Sequence, residues 1–186
     1  MLIDKNKACL IISCMQKEFL PTLIDSQKLI DSCSWLIDFA NHIQIPVVIG
    51  NHKKLGAPIE EFLQLSKTVK STEMVTFSCL DDKNTKTMLE ATGRSQFLLV
   101  GAETHISIYQ SAVAFKKAKL ESFVIVDAVS ARNEVDHTTA IERLRQLSIP
   151  VITKEMFFFE CLRSSAYPKY IDLSIKFLDQ RYLRYI

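Results

Sequence analysis

Short apolar runs alternate with amphipathic stretches along most of this chain. Five runs stand out: Ala8 to Ser13, Pro46 to Ile49, Phe97 to Val100, Phe123 to Val126 and Pro150 to Ile152. They are short, almost free of charge and rich in Val, Ile, Leu and Phe, the pattern of strands covered on both faces, as in a parallel sheet. Between them the apolar spacing changes to that of a helix. In Gln27 to His42 the residues Leu29, Ile30, Cys33, Leu36, Ile37 and Ala40 form one stripe, with Asp31 and Asp38 away from it. From His105 to Lys119 the stripe is Ile108, Ala112 and Phe115, ending near the Lys116-Lys117 pair that suits a helix C-terminus. Asn133 is read as the cap of a helix reaching about Leu147, with Ile141, Leu144 and Leu147 facing inward. A last helix is expected from about Tyr170 to Arg181. Strands and helices alternating at this length predict an α/β fold with right-handed crossovers.

Length and composition narrow the picture. The 186 residues suit one domain over residues 1–186, large enough to bury about 70% of the unfolded surface. A net charge of +2 with dispersed basic residues gives no reason to expect nucleic acid. No apolar run approaches the roughly 18 residues that cross a bilayer, so no membrane partner is expected. The five cysteines are an odd number without a CxxC pair, which argues against a disulfide framework or thiolate zinc site. With no signal-peptide layout at the start, these free thiols suggest a cytoplasmic protein.

In an open parallel sheet, ligands bind beyond the carboxyl ends of the strands at the topological switch point. Those ends are Ser13-Cys14, Gly50-Asn51-His52, Gly101 to Ser107, and Asp127-Ala128. Four segments there resemble the isochorismatase-like cysteine hydrolases. Leu10 to Phe19 is similar to the family's first-strand signature, in which an acidic residue precedes Met-Gln and then Phe. Thr76-Phe77-Ser78 resembles the aromatic-Ser segment that follows a catalytic lysine. Gly101 to Ile108 resembles the nucleophile turn, and Asp127 to Arg132 followed by Val135-Asp136-His137 the segment closing the core. The order is kept from about residue 8 to residue 160. The Gly50 to Gly56 loop is closer to divergent isochorismatase-domain proteins than to metal-binding nicotinamidases.

The resemblance implies a three-layer α/β/α fold with a doubly wound parallel sheet of about six strands in the order 3-2-1-4-5-6. It also implies a non-proline cis peptide at Ala102-Glu103 and a homo-oligomer. The family's Asp deprotonates its cysteine, its Lys supports the charged intermediate, and the thiolate attacks a carbonyl or imine carbon. Those positions carry Cys14, Met74 and Ser107 here, three departures from the pattern. A neutral serine hydroxyl needs an adjacent base, and loss of one member of a catalytic unit already removes most of the rate. The cleft residues expected beside them are Phe19, Phe77, Glu103, Thr104 and His105. The helix start that carries Ser107 would still offer backbone amides to an anion.

Three functions are therefore open. One is a pseudoenzyme whose cleft binds a small-molecule ligand or whose surface serves assembly. Another is an active hydrolase rebuilt around Cys14, or around a water held by Glu103 and His105. The third is a structural subunit that joins an active homologue. Cys14 reads more readily as a small buried thiol than as a relocated nucleophile, because no clear base lies beside it in the sequence. His52, His105 and His137 lack metal-ligand spacing, and Lys53-Lys54 beside His52 would repel a cation, so no metal and no cofactor are expected. His42 reads as a surface residue at a helix C-terminus. Phe157-Phe158-Phe159 and Trp35 suit either core or subunit interface, and Arg181 to Ile186 either a clamp on a neighbour or a frayed end.

Overall fold

The computed structural model describes residues 2–65, 69–179 and 181. Among these, six parallel strands make one sheet, β1 (Ala8–Ser13), β2 (Val47–His52), β3 (Lys70–Met74), β4 (Gln96–Ala102), β5 (Glu121–Ser130) and β6 (Val151–Ile152). Their order is β3-β2-β1-β4-β5-β6. The chain steps outward from β1 in both directions, so the switch point lies between β1 and β4. The helices are α1 (Ser26–His42), α2 (Glu60–Gln64), α3 (Lys83–Glu90), α4 (Tyr109–Lys117), α5 (Glu134–Gln146), α6 (Lys154–Leu162) and α7 (Tyr170–Phe177).

Strand alternation divides the core into two layers. Ala8, Leu10 and Ile12 of β1 join Leu98, Val100, Phe123 and Ile125 under α1, α6 and α7. Cys9 and Ile11 join Phe97, Leu99 and Val124 under α3, α4 and α5. A face buried on each side explains why the strands read as continuous apolar runs. β3 carries no such run because it is an edge strand, with Lys70, Ser71 and Glu73 exposed and only Thr72 and Met74 buried. β5 runs well past Val126, since a register shift opposite Leu99 and Gly101 takes up extra residues before pairing resumes at Val129 and Ser130. No helix among the described residues is long and apolar enough to cross a membrane.

Several local expectations change. Asn133 stands at the start of α5, but its side chain donates to Asp136 Oδ2 at 3.1 Å and makes no capping bond. Leu147 lies beyond the end of α5 and is exposed, and the last helix stops at Phe177. The His105 segment begins as a π-helical turn, Thr104–Ile108, before continuing as α4. Phe157 and Phe158 are fully buried within this chain, 5.4 and 4.9 Å from the Phe39 ring, and so belong to its core. Trp35 packs 5.3 Å from Phe177 and donates its indole N–H to that residue's carbonyl. His42 does lie exposed at the end of α1, its Nδ1 beside the Asp38 carbonyl. Tyr182 to Ile186, on which the clamp reading rests, are outside the described residues.

Candidate active-site cleft

The switch point is built from two strand ends in register, Ser13 opposite Gly101. Gly101 has φ +102°, and a Cβ there would stand 2.3 Å from the Ser13 carbonyl oxygen. Only glycine permits this approach. The Ala102-Glu103 peptide that follows is cis. On the other strand, Cys14 leaves β1 in the left-handed region, φ +55°, with its amide donating to the Gly50 carbonyl at 2.8 Å. β1 and β4 thereby deliver Cys14, Glu103 and Ser107 to one cavity of about 220 Å³.

Cys14 and Ser107, 4% and 3% exposed, form its floor. Phe19, Leu55 and Ile106 line it with apolar surface. The exposed Phe77 ring lies almost parallel to the His52 ring at 5.8 Å and covers one side. Arg132 reaches in from just past β5, its Nε donating to Glu103 Oε1 at 2.8 Å. The Glu103 carboxylate is buried. Hydrogen bonding to it, reinforced by its charge, pushes the Arg132 pKa up.

Burial pushes the Cys14 thiol up to about 11, and the Glu103 charge adds to that effect. The Ser107 hydroxyl and the His52 amide favour the ionised form but do not offset desolvation. The thiol is therefore protonated at neutral pH. Although the Ser107 hydroxyl influences the thiol, Ser107 Oγ makes no hydrogen bond of ordinary geometry among the described residues. The amides expected to face an anion are partly used within the turn: those of Ile106 and Ile108 both donate to the Glu103 carbonyl.

Of the residues expected in the cleft, Cys14, Phe19, Phe77, Glu103 and Ser107 line it. Met74, Thr104 and His105 do not. Met74 is buried at the end of β3, its sulfur close against Gly50, in the same apolar cluster as Cys14. Thr104 turns towards α5, where its hydroxyl meets His137 Nδ1 at 2.9 Å. His105 also faces α5, with Nε2 3.9 Å from Asp136 Oδ2 and a buried Nδ1 that has no partner among the described residues. Successive residues on a helical turn point in different directions, so 106 and 107 face the cleft when 104 and 105 do not. His52, Leu55, Ile106 and Arg132 complete the lining. In the sequence His52 stands out only as a metal-ligand candidate and Arg132 only as the end of a motif; the place of Arg132 directly after β5 is the available signal. Among the described residues no three His, Cys, Asp or Glu side chains are grouped to hold a metal ion.

The doubly wound sheet in the order β3-β2-β1-β4-β5-β6, with helices on both faces and a cleft at its switch point, is the three-layer α/β/α fold of the isochorismatase class. The isochorismatase domain matches residues 7–156, and the chain belongs to that family. It is 27% identical over 161 residues to the zebrafish (Danio rerio) isochorismatase domain-containing protein 1, covering 86% of this chain but 56% of that protein. It thus spans little more than half the length of that relative. The mouse (Mus musculus) isochorismatase domain-containing protein 2A is 24% identical over 173 residues, covering 90% of this chain and 81% of that protein. The Caenorhabditis elegans MAR1 ribonuclease superposes with a TM-score of 0.86 at 22% identity, covering 94% of this chain and 91% of that one. An octameric hydrolase of unknown specificity from Escherichia coli gives 0.90 at 18% identity, covering 100% and 94%.

Proposed function

We propose that this chain is a binding member of the isochorismatase family, whose cleft holds a small molecule without the family's covalent hydrolysis. The observation that supports this reading is the floor of the cleft. Ser107 stands at the nucleophile position with a buried hydroxyl that no base among the described residues hydrogen-bonds. A serine nucleophile requires a base within hydrogen-bond reach. Cys14 stands at the position of the family's aspartate as a neutral thiol, with a pKa near 11. The nearby carboxylate, Glu103, is engaged by Arg132. The apolar lining nevertheless leaves a cavity open.

A second reading has its own support, because Cys14 lies on the cleft floor and receives help towards ionisation from Ser107 and His52. It makes Cys14 the nucleophile of a rebuilt hydrolase. A panel of small amides, esters and imines separates the two. The binding reading expects ligand-dependent stabilisation, abolished when Ser107→Phe fills the cavity, and no turnover above background. Turnover that disappears in Cys14→Ala or Glu103→Gln overturns it in favour of the rebuilt hydrolase. The octameric assembly of the Escherichia coli neighbour supports a homo-oligomer here as well, or a subunit joining an active homologue. Sedimentation of the pure protein as a stable monomer that recruits no homologue counts against both.

A further inference from the structure

We infer that a second cavity, beneath the loop that follows β2, binds a small α-amino acid as its zwitterion; this goes beyond the role proposed for the cleft and does not depend on it. The cavity encloses about 240 Å³, and Asn51, Lys53, Ser71, Glu73, Gln16 and Gly56 are among its lining residues. In the β2–β3 register Asn51 stands opposite Glu73. Strand alternation places Asn51 on the Ile49 face of the sheet, away from the apolar cluster that holds Cys14. The loop above is pinned from β1's side. Gln16 donates to the His52 carbonyl at 2.9 Å and to the Gly56 carbonyl, and accepts the His52 amide at 2.8 Å. Glu18 accepts the Ala57 amide at 2.7 Å.

The open groups of this enclosure are of two kinds. Asn51 is 4% exposed; its Nδ2 donates to Ser71 Oγ at 2.8 Å, whereas its Oδ1 has no partner among the described residues. A buried acceptor left open is uncommon and calls for a donor. Ser71 Oγ, having accepted that bond, keeps its own hydrogen to give. At the rim the exposed Glu73 and Lys53 side chains make no ion pair among the described residues. Other charges nearby are engaged: Lys17 lies 3.8 Å from Glu60, and Glu18 holds the loop amide. Asn51 and Glu73 thus offer two acceptors to an ammonium, while Ser71 and Lys53 offer two donors to a carboxylate. A lone ammonium would meet Lys53 and a lone carboxylate Glu73, so one group of each sign on a short body answers all four. The volume, below the roughly 300–1,000 Å³ of drug-sized sites, limits the ligand's side chain to a few atoms.

L-Alanine tests the assignment beside ethylamine, which lacks its carboxylate, and propionate, which lacks its ammonium. NMR titrations of the whole chain at neutral pH are followed at the Asn51 side-chain amide and the Ser71 backbone amide. L-Alanine should bind at least about tenfold more tightly than either fragment. Asn51→Leu should abolish the response. Glu73→Gln and Lys53→Met, both at exposed positions, should each weaken binding a few-fold, more at low salt than at high. The Glu73→Gln/Lys53→Met double variant leaves the interior intact and should remove the preference for L-alanine over its fragments. Equal binding of the three probes, or a preference that survives the double variant, overturns the zwitterion assignment. Absence of any response at Asn51 and Ser71 to all three overturns the site itself. Neither outcome bears on the cleft, whose Phe77 and Ile106 resonances are followed separately.

Discussion

The two sides of the π-helical turn at Thr104–Ile108 carry hydroxyls three residues apart with opposite fates. Thr104 is fully buried and bonded to His137 of α5. Ser107 is nearly as buried, yet its oxygen has no partner among the described residues and faces a cavity. One side anchors the turn in the core; the other presents it to the cleft. A buried polar group without a partner costs about 1–3 kcal/mol, and such groups gather where function, rather than packing, decides the residue.

Gly101→Ala should have the largest effect because it removes the support of both sides at once. A Cβ 2.3 Å from the Ser13 carbonyl oxygen, at φ +102°, has backbone on one side and nothing flexible to yield. A loss above about 4 kcal/mol is expected, read as a collapse of the thermal transition. The contrast itself is tested by urea denaturation of Thr104→Val and Ser107→Ala. The former strands His137 Nδ1 and should cost about 1–3 kcal/mol. The latter deletes an oxygen that makes no hydrogen bond of ordinary geometry among the described residues, and should fall within about 0.5 kcal/mol of wild type or on the stabilising side. Equal costs would remove the asymmetry.

Protonation sharpens the same comparison from the cleft side. The Cys14 pKa rises from 9.0 to about 11 in the folded chain. The unfolded chain therefore loses its proton first, and stability should fall as pH rises from about 9 towards 11. Cys14→Ser should make that decline shallower without abolishing it, since buried Cys9, Cys33 and Cys79 are each pushed up to about 12. Iodoacetamide at pH 8 should modify Cys14 far more slowly in the native protein than in urea. Rapid native alkylation would instead favour a reactive thiolate.

The smallest effect belongs to His137. Burial lowers its pKa from 6.5, so the unfolded chain takes up a proton first as the medium is acidified. Its contribution is intact above pH 6.5 and is lost as the pH falls through the depressed folded value. A His137→Gln variant should show a shallower acid dependence in the same denaturation series. An unchanged slope would show that the Thr104 anchor does not depend on a neutral imidazole.

Much of this architecture was legible before any coordinates. β1 coincides with the apolar run Ala8 to Ser13, and the stripe of α1 faces the core as its spacing implied, with Ile30 only partly buried. The edge strand β3 carries no apolar signature because Lys70, Ser71 and Glu73 are exposed. Phe157 and Phe158 were ambiguous because an aromatic run shows the need for burial without naming what buries it. A cavity does lie at the strand ends, and its lining extends beyond the residues the sequence marks. Arg132 lies 29 residues from the Glu103 it holds, and His137 33 residues from Thr104.

The pattern of side chains by itself determined five of the six strands, the helical segments of α1, α4, α5 and α7, and the burial of the strands on both faces. These follow from local sterics and from burial, which each residue type expresses over a few neighbours. Tertiary structure alone decided that Ser107 and Ile106 face the cavity while Thr104 and His105 face α5. It also decided that Glu103 holds Arg132 and that Cys14 remains a neutral thiol. Direction, pairing and desolvation depend on what distant segments bring to the same place, and no spacing along the chain encodes that.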